Sequence, residues 1–245
     1  MTQETPIVNN IAPLTNVALC ADVLAQAIGR PGSLPGLVSF YGPSGYGKSF
    51  AAAYAANLYN AYHVACKGSW TRKAFLDNVL KEMGIKAART ISDMADQVAE
   101  QLSLSNRPLI IDEFDYMVKK GYEEIVRDVY EGSNAAILLI GEELLETNLA
   151  ANERFHNRVL KWVPAQPANH NDAELLKRLY APEIVIGDDL LKKIMKAIKG
   201  CTRRLCINLY NVQSFAVNRG LSHVSLSEWG NEPIYIGKAP QRKIA

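Results

Sequence analysis

An α/β fold, with helices on both faces of a parallel sheet and a smaller all-α domain after it, is what this sequence predicts. Three observations carry that expectation. A short apolar strand runs into a glycine loop and an Ala-rich helix, apolar runs alternate with amphipathic segments as far as Pro167, and helical periodicity alone continues beyond it. Strands that alternate with helices bury both faces of a sheet, and such sheets bind ligands at the carboxyl ends of their strands.

In chain order, residues 1–13 are polar and Pro/Asn-bearing, as expected of a loosely ordered arm. LTNVALCADVLAQAIG (14–29) has helical periodicity and stops at Gly29, with Pro31 just beyond. GLVSFYG is the first strand and SFAAAYAANLYNAY the helix after it. AYHVACKG (61–68) is a second short strand, and WTRKAFLDNVLKEMG (70–84) an amphipathic helix closed by Gly84. TISDMADQVAEQLSLS is another helix, with Ser92 expected as its N-cap ahead of an acidic first turn. RPLIIDEFDYM is a buried strand ending in carboxylates, YEEIVRDVYEGS a helix, and NAAILLIGEE the next strand. TNLAANERFHNRVLKWVPAQP passes from helix to strand and into Pro164 and Pro167, where a domain boundary is expected. The α/β domain then spans 14–167. A helical domain without a buried strand spans 168–233, and a basic tail 234–245.

At 245 residues, 48% apolar and 21% charged, the chain can bury a sizeable core. A net charge of +2 does not by itself announce a nucleic-acid binder, which leaves that question to local patches. No apolar run approaches a membrane span, and no basic-then-apolar leader pattern opens the sequence. Cys20, Cys66, Cys201 and Cys206 form no C-x-x-C pair, which fits reduced thiols in a cytoplasm.

The chemistry concentrates in YGPSGYGKSF (41–50), whose G-x-x-x-x-G-K-[ST] spacing is that of a phosphate-binding loop. Gly42, Pro43, Ser44, Gly45, Tyr46, Gly47, Lys48, Ser49 and Phe50 are expected to wrap the phosphates of ATP, using backbone amides and a helix N-terminus. Lys48 would neutralise the β- and γ-phosphates, and Ser49 would hold Mg²⁺. LIIDEFD supplies the partner groups. Asp112, at a strand end, would bind Mg²⁺ directly or through water, and Glu113 would polarise a water for attack on the γ-phosphate. Asp115 reads as solvated or structural.

Together, the phosphate loop, the D-E strand, the helical C-terminal segment and the "G-x-x-R" of KGCTRRLCINL resemble a AAA+ ATPase. The resemblance implies a lid arginine that reports the γ-phosphate, at Arg203 with Arg204 as the alternative. It also implies an arginine aimed into a neighbouring subunit's nucleotide. ERFHNRVLKW offers Arg154 and Arg158, and its R-x-x-x-R-V shape before a strand favours Arg158. The alternative for these arginines is a surface pairing with Glu153 or Asp172. In that family the strand AAILLIGEE ends in a polar sensor; here it ends in Gly141 with Glu142 behind it. Slow, partner-stimulated hydrolysis suits that departure.

IIDEFDYMVKKGYEEIVRDVYEGSNAAILLIGEELL further resembles transposition regulators of the phage Mu B and TnsC/TniB type. It does so through IVRDVYE, with Arg127, and ILLIGEELL. The resemblance implies ATP-bound subunits stacked into a ring or helical filament around duplex DNA, a DDE transposase as partner, and a bacterial host cell. Mu B carries an N-terminal helix-turn-helix domain, whereas about thirteen residues precede the first helix here, so DNA contact is expected from the ATPase body. Lys119 and Lys120 in MVKKGY, with Lys67, Arg72 and Lys73 in CKGSWTRK, are the candidates for phosphate contact. Lys192, Lys196 and Lys199 read as a solvated helix face. Two rival functions are a replication ATPase such as a helicase loader, and a nucleotide-gated scaffold that binds no DNA.

Overall fold

A computed structural model describes residues 14–237. The expected arm and the last eight residues of the tail lie outside the described residues. The chain divides into two compact units: Thr15–Pro167 with Gly200–Arg203, and the remainder, chiefly 168–199 and 204–237.

The larger unit opens with α1 (Thr15–Ile28), β1 (Leu37–Tyr41) and α2 (Lys48–Leu58). β2 (Tyr62–Ala65), α3 (Arg72–Glu82), α4 (Ile91–Ser105) and β3 (Leu109–Asp112) follow. Then come α5 (Asp115–Val118), α6 (Glu123–Ser133), β4 (Ile137–Gly141), α7 (Leu145–Ala150), α8 (Glu153–His156) and β5 (Val159–Pro164). The strands make one sheet in the order β2-β3-β4-β1-β5, with every pair parallel. Parallel strands covered on both faces read as unbroken apolar runs, and Leu109–Ile111 and Ile137–Ile140 are all buried. β5 is half-exposed and ends in Pro164, a residue tolerated at a sheet edge because no ladder hydrogen bond is lost there. One core packs Phe75, Leu76 and Val79 of α3, Met94 and Val98 of α4, and Val126 and Val129 of α6 around the sheet.

The N-cap of α4 is Thr90, not Ser92: the Thr90 side chain accepts from the Asp93 N–H at 3.1 Å. Starting at Ile91 places Ser92 inside the first turn, where its hydroxyl can no longer serve as the cap.

The smaller unit contains α9 (His170–Tyr180), β6 (Val185–Ile186), α10 (Asp188–Ile198), most of α11 (Thr202–Arg219), β7 (His223–Val224) and α12 (Leu226–Trp229). Its α-only expectation is corrected by β6 and β7, which pair in parallel and bury Ile186 and Val224. Two-residue strands are too short to show a period-two pattern. Leu190, Leu191 and Ile194 of α10 and Leu205, Leu209 and Val212 of α11 are buried in this unit. Among the described residues, no helix is long and apolar enough to cross a membrane.

Candidate functional site

The glycine loop leaves β1 at Tyr41, whose register partner is Gly141 at the end of β4. Gly45 takes φ +86, and a Cβ there would stand 2.6 Å from Cys201 Sγ, so backbone and space both demand glycine. Gly47 then caps α2 from the left-handed region, with no side chain capping that helix. The first-turn amides of α2 are thereby left to an anion at its positive end. Lys48, the first helical residue, donates from Nζ to the carbonyls of Gly42 at 2.6 Å and Pro43 at 3.0 Å, spanning the loop. Desolvation lowers its pKa, against the opposing charges of Glu113, Asp112, Glu142 and Asp115. Ser44, Ser49 and Phe50 are exposed around the same loop.

Four carboxylates face this lysine electrostatically. Asp112 is buried at the end of β3, and its Oδ1 accepts from the Glu113 N–H at 2.8 Å. Glu113 takes φ +55, a conformation that costs a non-glycine residue free energy and that clusters at functional sites. Its pKa is raised, first by desolvation and then by the charge of Asp112, with Lys48 pulling the other way. Asp115 is buried at 4% exposure, which removes the solvated alternative; its Oδ2 accepts from the Glu142 N–H at 2.6 Å. That carboxylate explains why β4 ends in glycine. A Cβ on Gly141 would collide with Asp115 Oδ2 and stand 2.7 Å from Leu145 Cδ2. A polar sensor side chain has no room at this position. Glu142, exposed, is the first side chain past it.

Arg203 lies against the loop. Its N–H donates to the Gly45 carbonyl at 2.9 Å, and its Cβ is 3.5 Å from where a Gly45 Cβ would be. Arg204 belongs elsewhere, beside Gly237 in the smaller unit. The structure therefore brings Lys48, Asp112, Glu113 and Arg203 to one end of the sheet.

Arg158 is not among them. It immediately precedes β5, and its carbonyl accepts from the Leu37 N–H at the start of β1. It thus sits at the amino end of the strands, about 16 Å along β1 from the glycine loop at ~3.3 Å per residue. Its partner is Glu131, rather than Glu153 or Asp172, with Nη2 and Nε at 3.0 and 3.2 Å from one carboxylate oxygen. Arg158, Arg154, Asn157, Glu153, Arg127 and Glu131 line an open cleft of about 510 Å³.

The basic candidates also separate. Lys67, Arg72, Lys119 and Lys120 gather where the chain leaves β2 and β3. Lys67 lies over Trp70, Lys119 over Tyr116, and Arg72 and Lys120 over Tyr122. Lys120 is turned inward, donating to the carbonyls of Gly68 at 2.5 Å and Trp70 at 2.7 Å, so it holds the loop together. Lys73 points away and donates to Arg89 O at 3.0 Å. Tyr116 is exposed in this cluster, and neither it nor Tyr122 stands out in the sequence as an interface residue. Asn16, which ties the glycine loop to Gln166, carries no sequence signal at all.

Residues 32–149 match the AAA domain family. The fold is that of P-loop AAA+ ATPases. It is similar to the Aeropyrum pernix ORC2 protein in its ADP form, at TM-score 0.64 and 14% identity over 87% of this chain and 65% of that one. It is also similar to the Aeropyrum pernix ORC1 protein in complex with DNA, at 0.60 and 18% over 85% and 61%. The similarity to Cdc6p of Pyrobaculum aerophilum is 0.59 and 14% over 90% and 66%. The chain thus spans less than two thirds of the length of the first of these proteins. No curated protein matches it in sequence.

Proposed function

We propose, for a chain with this AAA+ fold, an ATPase that assembles on duplex DNA in its ATP state and regulates the target choice of a DDE transposase. One observation carries the ATPase reading: the glycine loop, Asp112, Glu113 and Arg203 converge at one end of the sheet, while Arg158 stands at the other. A site that holds the nucleotide but lacks its finger arginine is completed only by a neighbour.

In this reading the loop amides and Lys48 hold the β- and γ-phosphates of ATP. Mg²⁺ fits the donor set. Ser49 is exposed in the first turn of α2, and Asp112 has one oxygen bonded to the Glu113 N–H. A hydroxyl and one carboxylate suit an ion that keeps waters and phosphate oxygens as its other ligands. When bound, that ion would neutralise charge on the β- and γ-oxygens. Glu113, its pKa raised, is suited to accept a proton from the attacking water. Arg203 would report the γ-phosphate, and Arg158 of an adjacent subunit would leave Glu131 to stabilise charge on the transferring phosphoryl group.

The DNA part of the reading rests on Lys67, Arg72 and Lys119, exposed around Tyr116 and Tyr122. Lys120 supports them as a loop clasp, and Lys73 extends the positive charge without joining the cluster. Two structural neighbours are described with DNA, the Aeropyrum ORC1 protein and Drosophila ORC. The transposase rests on the Mu B-type resemblance of the segment from Ile110 to Leu145. The initiator-like neighbours favour a second reading, a replication ATPase of the helicase-loader kind.

Negative-stain imaging with a non-hydrolysable ATP analogue, with and without duplex DNA, tests the assembly. Rings or filaments that need both ligands are expected. Discrete particles indifferent to DNA would replace this reading with the nucleotide-gated scaffold. A preference for single strands together with capture of a replicative helicase would favour the loader.

A further inference from the structure

Two consecutive carbonyls of the glycine loop are held by groups from outside the loop. The Gly45 carbonyl accepts the Arg203 N–H at 2.9 Å. The Tyr46 carbonyl accepts from Nδ2 of Asn16, in the first turn of α1, at 2.9 Å. The same Nδ2 donates to the Gln166 carbonyl at 2.8 Å, and Asn16 Oδ1 accepts the Gln166 N–H at 2.8 Å. Asn16 is only 7% exposed. Both amide hydrogens and one carbonyl lone pair are used, and a flipped amide would set oxygen against two carbonyls, so its orientation is fixed.

The geometry has a directional consequence. In a trans peptide the C=O and the following N–H point to opposite sides. Holding the Tyr46 carbonyl therefore turns the Gly47 N–H away from Asn16, and holding the Gly45 carbonyl turns the Tyr46 N–H away from Arg203. Glycines on both sides leave this stretch free to rotate, with Gly45 at φ +86 and Gly47 at +82, so the loop cannot fix these peptides by its own sterics. The other end of the clamp is also anchored. Gln166 follows Ala165, whose N–H donates to the Tyr41 carbonyl at 2.7 Å just before the loop begins.

We propose that Asn16 is a positioning residue for the phosphate loop. By holding the Tyr46 carbonyl, it presents the Gly47 N–H as a donor to the nucleotide's phosphates and ties that peptide to the segment after β5. This rests on the nucleotide-binding reading of the loop. Free energy that the loop would otherwise spend on ordering during binding is supplied beforehand by the fold.

The test compares binding of a fluorescent ribose-labelled ATP to the full chain and to Asn16→Asp, Asn16→Ala and Lys48→Ala, alongside thermal unfolding without nucleotide. Asn16→Asp is nearly isosteric and keeps the acceptor for the Gln166 N–H while losing both donated bonds. Both Asn16 variants should weaken binding about ten- to hundredfold, the range set by leaving one or two part-buried carbonyls without their Asn16 donor. The turnover rate at saturating ATP should change far less than the affinity. Wild-type affinity in a folded Asn16→Asp, with binding lost in Lys48→Ala, would overturn the positioning role while leaving the nucleotide reading standing. So would an affinity loss that merely tracks a lowered unfolding temperature. Undiminished binding by Lys48→Ala would instead remove the nucleotide reading itself, and this inference with it.

Discussion

The two ends of the sheet are built on opposite plans. At the carboxyl end, around the glycine loop, polar groups are buried or half-buried and already partnered: Asp112 by the Glu113 N–H, Asp115 by the Glu142 N–H, and the half-buried Lys48 by two carbonyls. At the amino end, Arg158 is 43% exposed and held by one carboxylate on an open cleft. Groups that are desolvated and hydrogen-bonded are expensive to move and hold a fixed geometry. Exposed ion pairs contribute ~0–1 kcal/mol and are easily exchanged. On the proposed reading, the difference is a division of labour: one end would be preorganised for a ligand, and the other kept available for a partner.

Substitutions can break or sharpen that contrast. The largest effect is expected from Lys48→Ala, which should abolish ATP-dependent DNA binding in a filter or mobility assay. Normal coating of DNA by that variant with ATP would separate the two activities. Arg158→Ala comes next. Under assembling conditions it should lower hydrolysis by roughly 10³-fold or more, the range for a finger arginine. Hydrolysis by dilute, unassembled protein should not change. An equal loss in both conditions would place Arg158 in its own chain's chemistry and erase the distinction between the two ends.

Glu113→Gln should cut hydrolysis by about 10²–10⁴ while ATP-bound complexes persist longer. The raised Glu113 pKa adds a pH test. The basic form is lost as pH falls through that pKa, so the acid limb of the rate profile should lie above the ordinary value of 4.5. The limb should vanish in Glu113→Gln; its persistence there would assign it to another group. Gly141→Ala should destabilise the fold by roughly 1–3 kcal/mol through overpacking against Asp115 and Leu145, read as a lower urea midpoint. The smallest effect belongs to Lys67→Glu with Lys119→Glu. It should reduce the slope of log affinity for duplex DNA against log salt by about 2. An unchanged slope would move the DNA contact away from this cluster.

How much of this was legible in the sequence follows the range of the interactions. The strand, glycine loop and helix at 37–58 are encoded locally, and so is the delivery of Asp112 and Glu113 by an apolar strand. Arg203, singled out through the G-x-x-R resemblance, does lie against the glycine loop. What stayed hidden depends on long-range packing. Asn16 meets Gln166 across 150 residues, and no local pattern records it. The room available at Gly141 depends on the rotamer of Asp115, from a different element. Lys119 and Lys120 are identical neighbours in sequence, yet one lies over an exposed tyrosine and the other is spent on two carbonyls. The Thr90 cap was missed because two hydroxyl residues precede the same acidic turn, and only the actual helix start distinguishes them.

The shared carboxylate of Glu131 bears on how fast subunits could join. Besides Arg158, it lies 3.9 Å from Nε of Arg127. If Arg158 swings toward a neighbour, Glu131 keeps a cation beside it, and no lone charge is left behind. Exposed side chains change rotamer in picoseconds to nanoseconds, whereas oriented protein encounters proceed at about 10⁵–10⁷ M⁻¹s⁻¹. If subunits assemble as proposed, release of the arginine would not be expected to limit the rate, which collision and orientation would set.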